Sequence, residues 1–212
     1  MKSEQSIIWN PIPELEAPKK PRTQTPNFSY EWRSKSDRNQ KIEAQVREML
    51  NIATIYLLNI LENDFTFPNP LPIILSDRTK HAQGGTEGIY IAIKRLKEEN
   101  PSQYQKDREQ SLIIHEFVHD FDETETLPMM IELAYMLEKG HTERLSEITT
   151  LIGQGKFPPI YLNGLTEVAK ALGYETNIEF LHGVSINDAE RLKAIFAEKM
   201  QEKIANTKSQ SL

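Results

Sequence analysis

Two histidines four residues apart, His115 and His119, enclose a glutamate, Glu116, in the stretch LIIHEFVHDFDETETLPMMIELAYMLEKG at 112–140. On a helix this spacing puts both imidazoles on one face, one turn apart, close enough to share a metal ion. Neutral imidazole is a good zinc ligand. Glu116 lies about 100° round the helix from His115. It would flank such a metal without binding it and could take a proton from water there. The chemistry this pattern fits is metal-assisted hydrolysis. Ile113, Ile114, Phe117, Val118 and Phe121 occupy the other faces, so the helix is expected to be buried nearly all round. A buried helix carries such polar groups only where partners satisfy them. Asp122, three residues past His119, falls on the same face and is expected to orient a ligand histidine or a nearby backbone group.

A catalytic zinc usually has three protein ligands and one open position. The chain has no cysteine, so the donors must be histidine and carboxylate. Glu123 is too close to His119 to turn back onto the metal. Glu132, thirteen residues past His119, lies in PMMIELAYMLEK with Met129, Tyr135 and Met136 on its face. A lone carboxylate on an apolar stripe needs a cation, and Glu132 ranks first as the third ligand. Glu125, six residues past His119, ranks second. The metzincin class of zincins places its third ligand at that offset, usually a histidine, but with a glycine where Asp122 stands here.

These residues need elements to position them. Apolar spacings of three and four predict a long helix over 38–63. LPIILSD at 71–77 reads as a buried strand, HAQGG at 81–85 as a loop, and TEGIYIAIK at 86–94 as a half-buried strand. Helices follow at about 102–122, 127–139, 141–152, 164–172 and 186–206. The pattern is α+β with strands confined to the first half. It divides into an N-terminal mixed lobe, about 37–123, and a C-terminal helical lobe, about 124–212, with a cleft between them as the natural place for a site. Residues 1–36 carry five prolines, from Pro11 to Pro26, and little to bury. They read as a tail, or as an extended arm docking through Trp9, Phe28, Tyr30 and Trp32.

The formal net charge of −6 argues against a nucleic-acid partner, which needs clustered positive charge. The N-terminus lacks an apolar run of signal-peptide length and no stretch is apolar enough to span a membrane, so the expected location is the cytoplasm.

HEFVH followed by a helix bearing PMMIELAYM resembles the gluzincin metallopeptidases, and HEFVHDFD resembles their lethal-factor-like branch. The resemblance covers about residues 71–140. It implies a zincin-like fold and a Zn2+ ion held by His115, His119 and Glu132. It further implies Glu116 as general base and a peptide or protein substrate paired with an edge strand, the place TEGIYIAIK takes. An oxyanion helper is also implied. Tyr135 is the first choice for it, with His141, Tyr161 and His182 as the others. One position departs from the thermolysin type, which has an Asp four residues past its ligand Glu where this chain has Met136. The competing function is a non-catalytic zincin-like zinc-binding module that holds a peptide or protein partner in the same cleft.

Overall fold

A computed structural model describes residues 27–34, 39–61, 70–85, 87–98, 100–119 and 121–210, the last four by their backbone only. Trp9 and the proline-rich run to Pro26 lie outside them.

Strand β1, Phe28–Arg33, places Phe28, Tyr30 and Trp32 on one face. Helix α1, Gln40–Ile60, starts at Asn39, whose side-chain oxygen accepts from the Lys41 and Ile42 amides. Its buried stripe is Ile42, Val46, Leu50, Ala53 and Leu57, the three-and-four spacing of one helix face. Strands β2, Leu71–Ser76, β3, Gln83–Gly85, and β4, Gly88–Ala92, follow. The sheet order is β1-β2-β4-β3. β1, β2 and β4 run parallel, and β3 lies antiparallel to β4 at one edge. β2 is buried along nearly its whole length, as an apolar strand between two parallel neighbours should be.

Three sequence expectations change here. Phe28–Arg33 belongs to the sheet, in register with Leu71–Ser76, and not to an arm that stops at residue 36. The run 86–94 is not an edge strand. β4 is paired on both sides, and its predicted end folds into a short helix α2, Ile93–Leu96. The edge beside the histidines is β3, from the stretch read as a loop. Gly88 makes the β3–β4 turn possible, since its φ is +138° and a Cβ there would lie 2.3 Å from the Pro72 carbonyl.

The helical part comprises α3, Gln103–His119, α4, Thr126–Glu138, α5, Glu143–Gly153, α6, Pro159–Ala171, α7, Asn177–Gly183, and α8, Ala189–Gln210. Sequence periodicity misses α7, which a Thr176–Glu179 capping box starts. α4 is the hub. Every residue from Leu127 to Leu137 is buried, against α3, α6 and α8. α3 packs on α1 and α4 and touches β3 and β4. Among the described residues no helix is long and apolar enough to cross a membrane.

Candidate metal centre

α3 ends at His119 and α4 begins at Thr126. The chain must therefore reverse within a few residues, and Asp122 helps it do so. Its buried carboxylate accepts from the Thr124 amide at 3.0 Å and the Thr124 hydroxyl at 2.9 Å, and is paired with Lys203 of α8. Together these hold Asp122 ionised despite its burial. The Asp122 backbone carbonyl lies 3.0 Å from Nδ1 of His119. A carbonyl can only accept, so Nδ1 carries the proton and Nε2 presents its lone pair to the site.

The reversal delivers Glu125, at the N-cap of α4, to the histidine pair. Its Oε2 lies 3.2 Å from Nε2 of His115 and 3.4 Å from Nε2 of His119, and the two Nε2 atoms are 3.2 Å apart. Among the described residues, His115, His119 and Glu125 are the group whose side-chain donors lie close enough together to hold a metal ion. Gly164 of α6 permits this placement, because a Cβ there would come within 2.7 Å of Glu125 Cβ and 2.8 Å of its carbonyl oxygen.

Glu132 takes a different place. Its Oε2 lies 2.9 Å from the opposite ring nitrogen of His115, Nδ1, at ion-pair distance though out of line for a hydrogen bond. Its Oε1 pairs with Arg108 at 3.2 Å and Arg144 at 3.0 Å. Glu132 is the one charged residue in the buried run 127–137 of α4, and burial disfavours its charge. The two arginines and His115 more than reverse that and hold it well below the usual carboxylate range. The cation that sequence reasoning required for Glu132 is thus supplied by arginine.

His115 therefore lies between two carboxylates seven residues apart on α4, one at each ring nitrogen. Burial alone would lower its pKa, but Glu125 and Glu132 raise it to about 9. For Glu125, burial is again outweighed, and the two imidazoles draw its pKa down to about 2. Its Oε2 is buried with no aligned hydrogen-bond donor among the described residues. Without a metal, the extra proton on His115 offsets the charge of Glu125; a metal ion bound here would displace that proton and meet two nitrogen lone pairs and a carboxylate oxygen.

A zinc ion fits this set. Tetrahedral bonds of about 2.0–2.2 Å to nitrogen and oxygen separate neighbouring donors by about 3.3 Å, close to the three edges seen here.

Glu116 lies beside this triangle, largely buried, with Oε2 accepting from the Gly84 amide of β3 at 2.5 Å. Burial is the main influence on its carboxyl and pushes the pKa up, against the pull of both histidines. Gly84 allows the approach, since a Cβ there would be 2.7 Å from Glu116 Oε2. A cavity of about 310 Å³ is lined by β3 with Glu116, His119, Glu125 and Tyr161. A larger one, about 1150 Å³, follows α3 and shares Gln83, Glu116 and Tyr161 with it.

Of the four helper candidates, the structure brings Tyr161 to the site. Its ring centre is 6.2 Å from that of His115. Burial, then the nearby carboxylates, push its pKa up to about 12, so the hydroxyl keeps its proton. Tyr135 packs edge-on against Tyr56 at 5.1 Å, and burial, then the charge of Asp107, push its hydroxyl pKa up. It lines the larger cavity with His115 and Glu116, but not the smaller one with His119 and Glu125. His141 pairs with Asp107 at 2.9 Å, and His182 is exposed on α7. Arg108 was readable as a site residue, being two turns before His115 on one helix face, while Arg144 left no such sign.

No family model matches the chain, and no curated protein or solved structure matches it.

Proposed function

We propose that this chain is a zinc-dependent metallopeptidase of zincin-like architecture, with His115, His119 and Glu125 as the zinc ligands and Glu116 as general base. The observation that carries the reading is the triangle of Nε2, Nε2 and Oε2 with edges of 3.2, 3.2 and 3.4 Å. Glu125 replaces Glu132 in the ligand set because Glu132 is committed to Nδ1 of His115 and to two arginines. Two histidines and one carboxylate also suit non-haem iron. Glu116 at the edge of the triangle, buried and raised in pKa, favours hydrolysis.

A bound zinc supplies Lewis acidity, acidifying solvent and polarising a carbonyl. Glu116 takes the proton from the attacking water and carries it to the leaving amine, a transfer its raised pKa suits near neutral pH. Tyr161, with its hydroxyl protonated, donates to the oxygen on which charge develops. Glu132 fixes the orientation of His115, and the Asp122 carbonyl that of His119. A peptide fits better than a small molecule because β3 is a sheet edge beside Glu116, where an extended chain can pair by its backbone.

Purified protein should hold about one zinc per chain, as a single closed set of three donors requires. It should cleave members of a mixed peptide library, and Glu116→Gln should keep the metal and lose the cleavage. Zinc bound with no peptide cut by the wild type would instead support the non-catalytic binding module.

A further inference from the structure

Holding Glu132 does not exhaust what Arg108 and Arg144 can bind. Their side chains are 17% and 12% exposed, and both line the larger cavity with His115, Glu116 and Tyr161. Two guanidinium groups share one buried carboxylate, Glu132, whose other oxygen faces His115. The second acid nearby, Glu147, is 3.3 Å from Arg144 but 45% exposed, so solvent screens it. Arg108 uses only Nη1, toward Glu132 and the Ser111 hydroxyl. Among the described residues its Nε and Nη2 have no hydrogen-bond partner. Burial lowers the Arg108 pKa and Glu132 does not fully offset it. A desolvated cation in this state calls for an anion, and a free guanidinium edge matches a carboxylate with two parallel hydrogen bonds.

We infer that Arg108 and Arg144 form an anion subsite of the cleft that takes a carboxylate of the substrate, either its C-terminal group or an acidic side chain. This rests on the peptidase reading. The subsite lies close to the reacting centre, since only the Glu132 carboxylate and the His115 ring separate the guanidinium groups from the converging Nε2 atoms. A few residues of extended chain, at about 3.3 Å each, span that interval. Cleavage is then selected at bonds near a chain terminus or an acidic residue.

The test uses zinc-loaded Glu116→Gln protein, immobilised and offered pooled random heptapeptides. One pair of pools carries a free or an amidated C-terminus. A second, amidated pair carries Glu or Gln fixed at the centre. Retained peptide is quantified by mass spectrometry. At least one carboxylate pool should be enriched about tenfold or more over its neutral match, and the pair that differs identifies the terminus or the side chain as the source. Arg108→Lys keeps a cation for Glu132 but removes the fork, and should abolish the preference while zinc content is unchanged. Equal retention of the matched pools, or a preference that survives Arg108→Lys and Arg144→Lys together, overturns the subsite. If the arginines only hold Glu132 in place, the lysine variants change zinc affinity and leave both pairs equally retained. Wild type that cuts no peptide, with the carboxylate preference present, removes the peptidase reading and leaves the subsite standing.

Discussion

His115 has a carboxylate at each ring nitrogen, and the two carboxylates have separable duties. Glu125 meets Nε2, where a metal would bind, while Glu132 meets Nδ1 from behind. Glu125→Ala removes a proposed ligand and should abolish tight zinc binding. Glu132→Gln should weaken it only by about 10–100-fold, the range for loss of a group that orients a ligand. Titration against a chromophoric chelator measures both, and the reverse ranking would restore Glu132 as the ligand. Tyr161→Phe removes a hydroxyl and little volume. Its kcat should fall by about 10²–10³-fold, the usual effect of losing one such donor, with zinc affinity unchanged. Tyr135→Phe, at the Tyr56 contact, should leave kcat near wild type. The His–Glu–His set was legible because helix geometry alone places it. The choice between Glu125 and Glu132 was not, because it depends on a reversal that glycine usually makes. Here the Asp122 carboxylate braces that turn by accepting from Thr124, a role spacing does not reveal.

At the scale of elements, the contact between β3 and α3 positions Glu116, the proposed general base. Gln-Gly-Gly has no apolar alternation, so nothing in the sequence marked β3 as a strand. It forms because β4 offers it an open edge, and the missing side chain at Gly84 lets the edge descend onto Glu116. The long amphipathic α1 and the apolar β2 were readable, since burial on one face or on both leaves a periodic or continuous apolar pattern. β1 was hidden by its proline-rich approach, although Phe28, Tyr30 and Trp32 alternate as a strand requires. Gly84→Val puts atoms where Glu116 Oε2 now lies and should displace the carboxylate. Hydrolysis should fall at least tenfold while zinc content stays at one per chain. Retained activity would show that the Gly84–Glu116 approach is dispensable.

Across the whole molecule the proposed centre ties α3 to the start of α4, the hub that also packs on α6 and α8. A metal held by these three donors binds the folded chain and not the unfolded one, so the fold is expected to lose stability when the metal is withdrawn. Binding to the native state alone stabilises by about 4 kcal/mol at a free zinc concentration a thousand times Kd. For a chain of this size each kcal/mol moves Tm by about 2–4 °C, so chelation should lower Tm by about 10 °C and zinc should restore it. The shift should persist in Glu116→Gln, which keeps all three donors, and vanish in Glu125→Ala, which starts from the lower Tm. Scanning calorimetry of the three proteins, each with zinc and with chelator, reads this directly. Equal Tm values in both conditions for the wild type would mean that the convergence of His115, His119 and Glu125 holds no metal, and the hydrolase reading would fall with it.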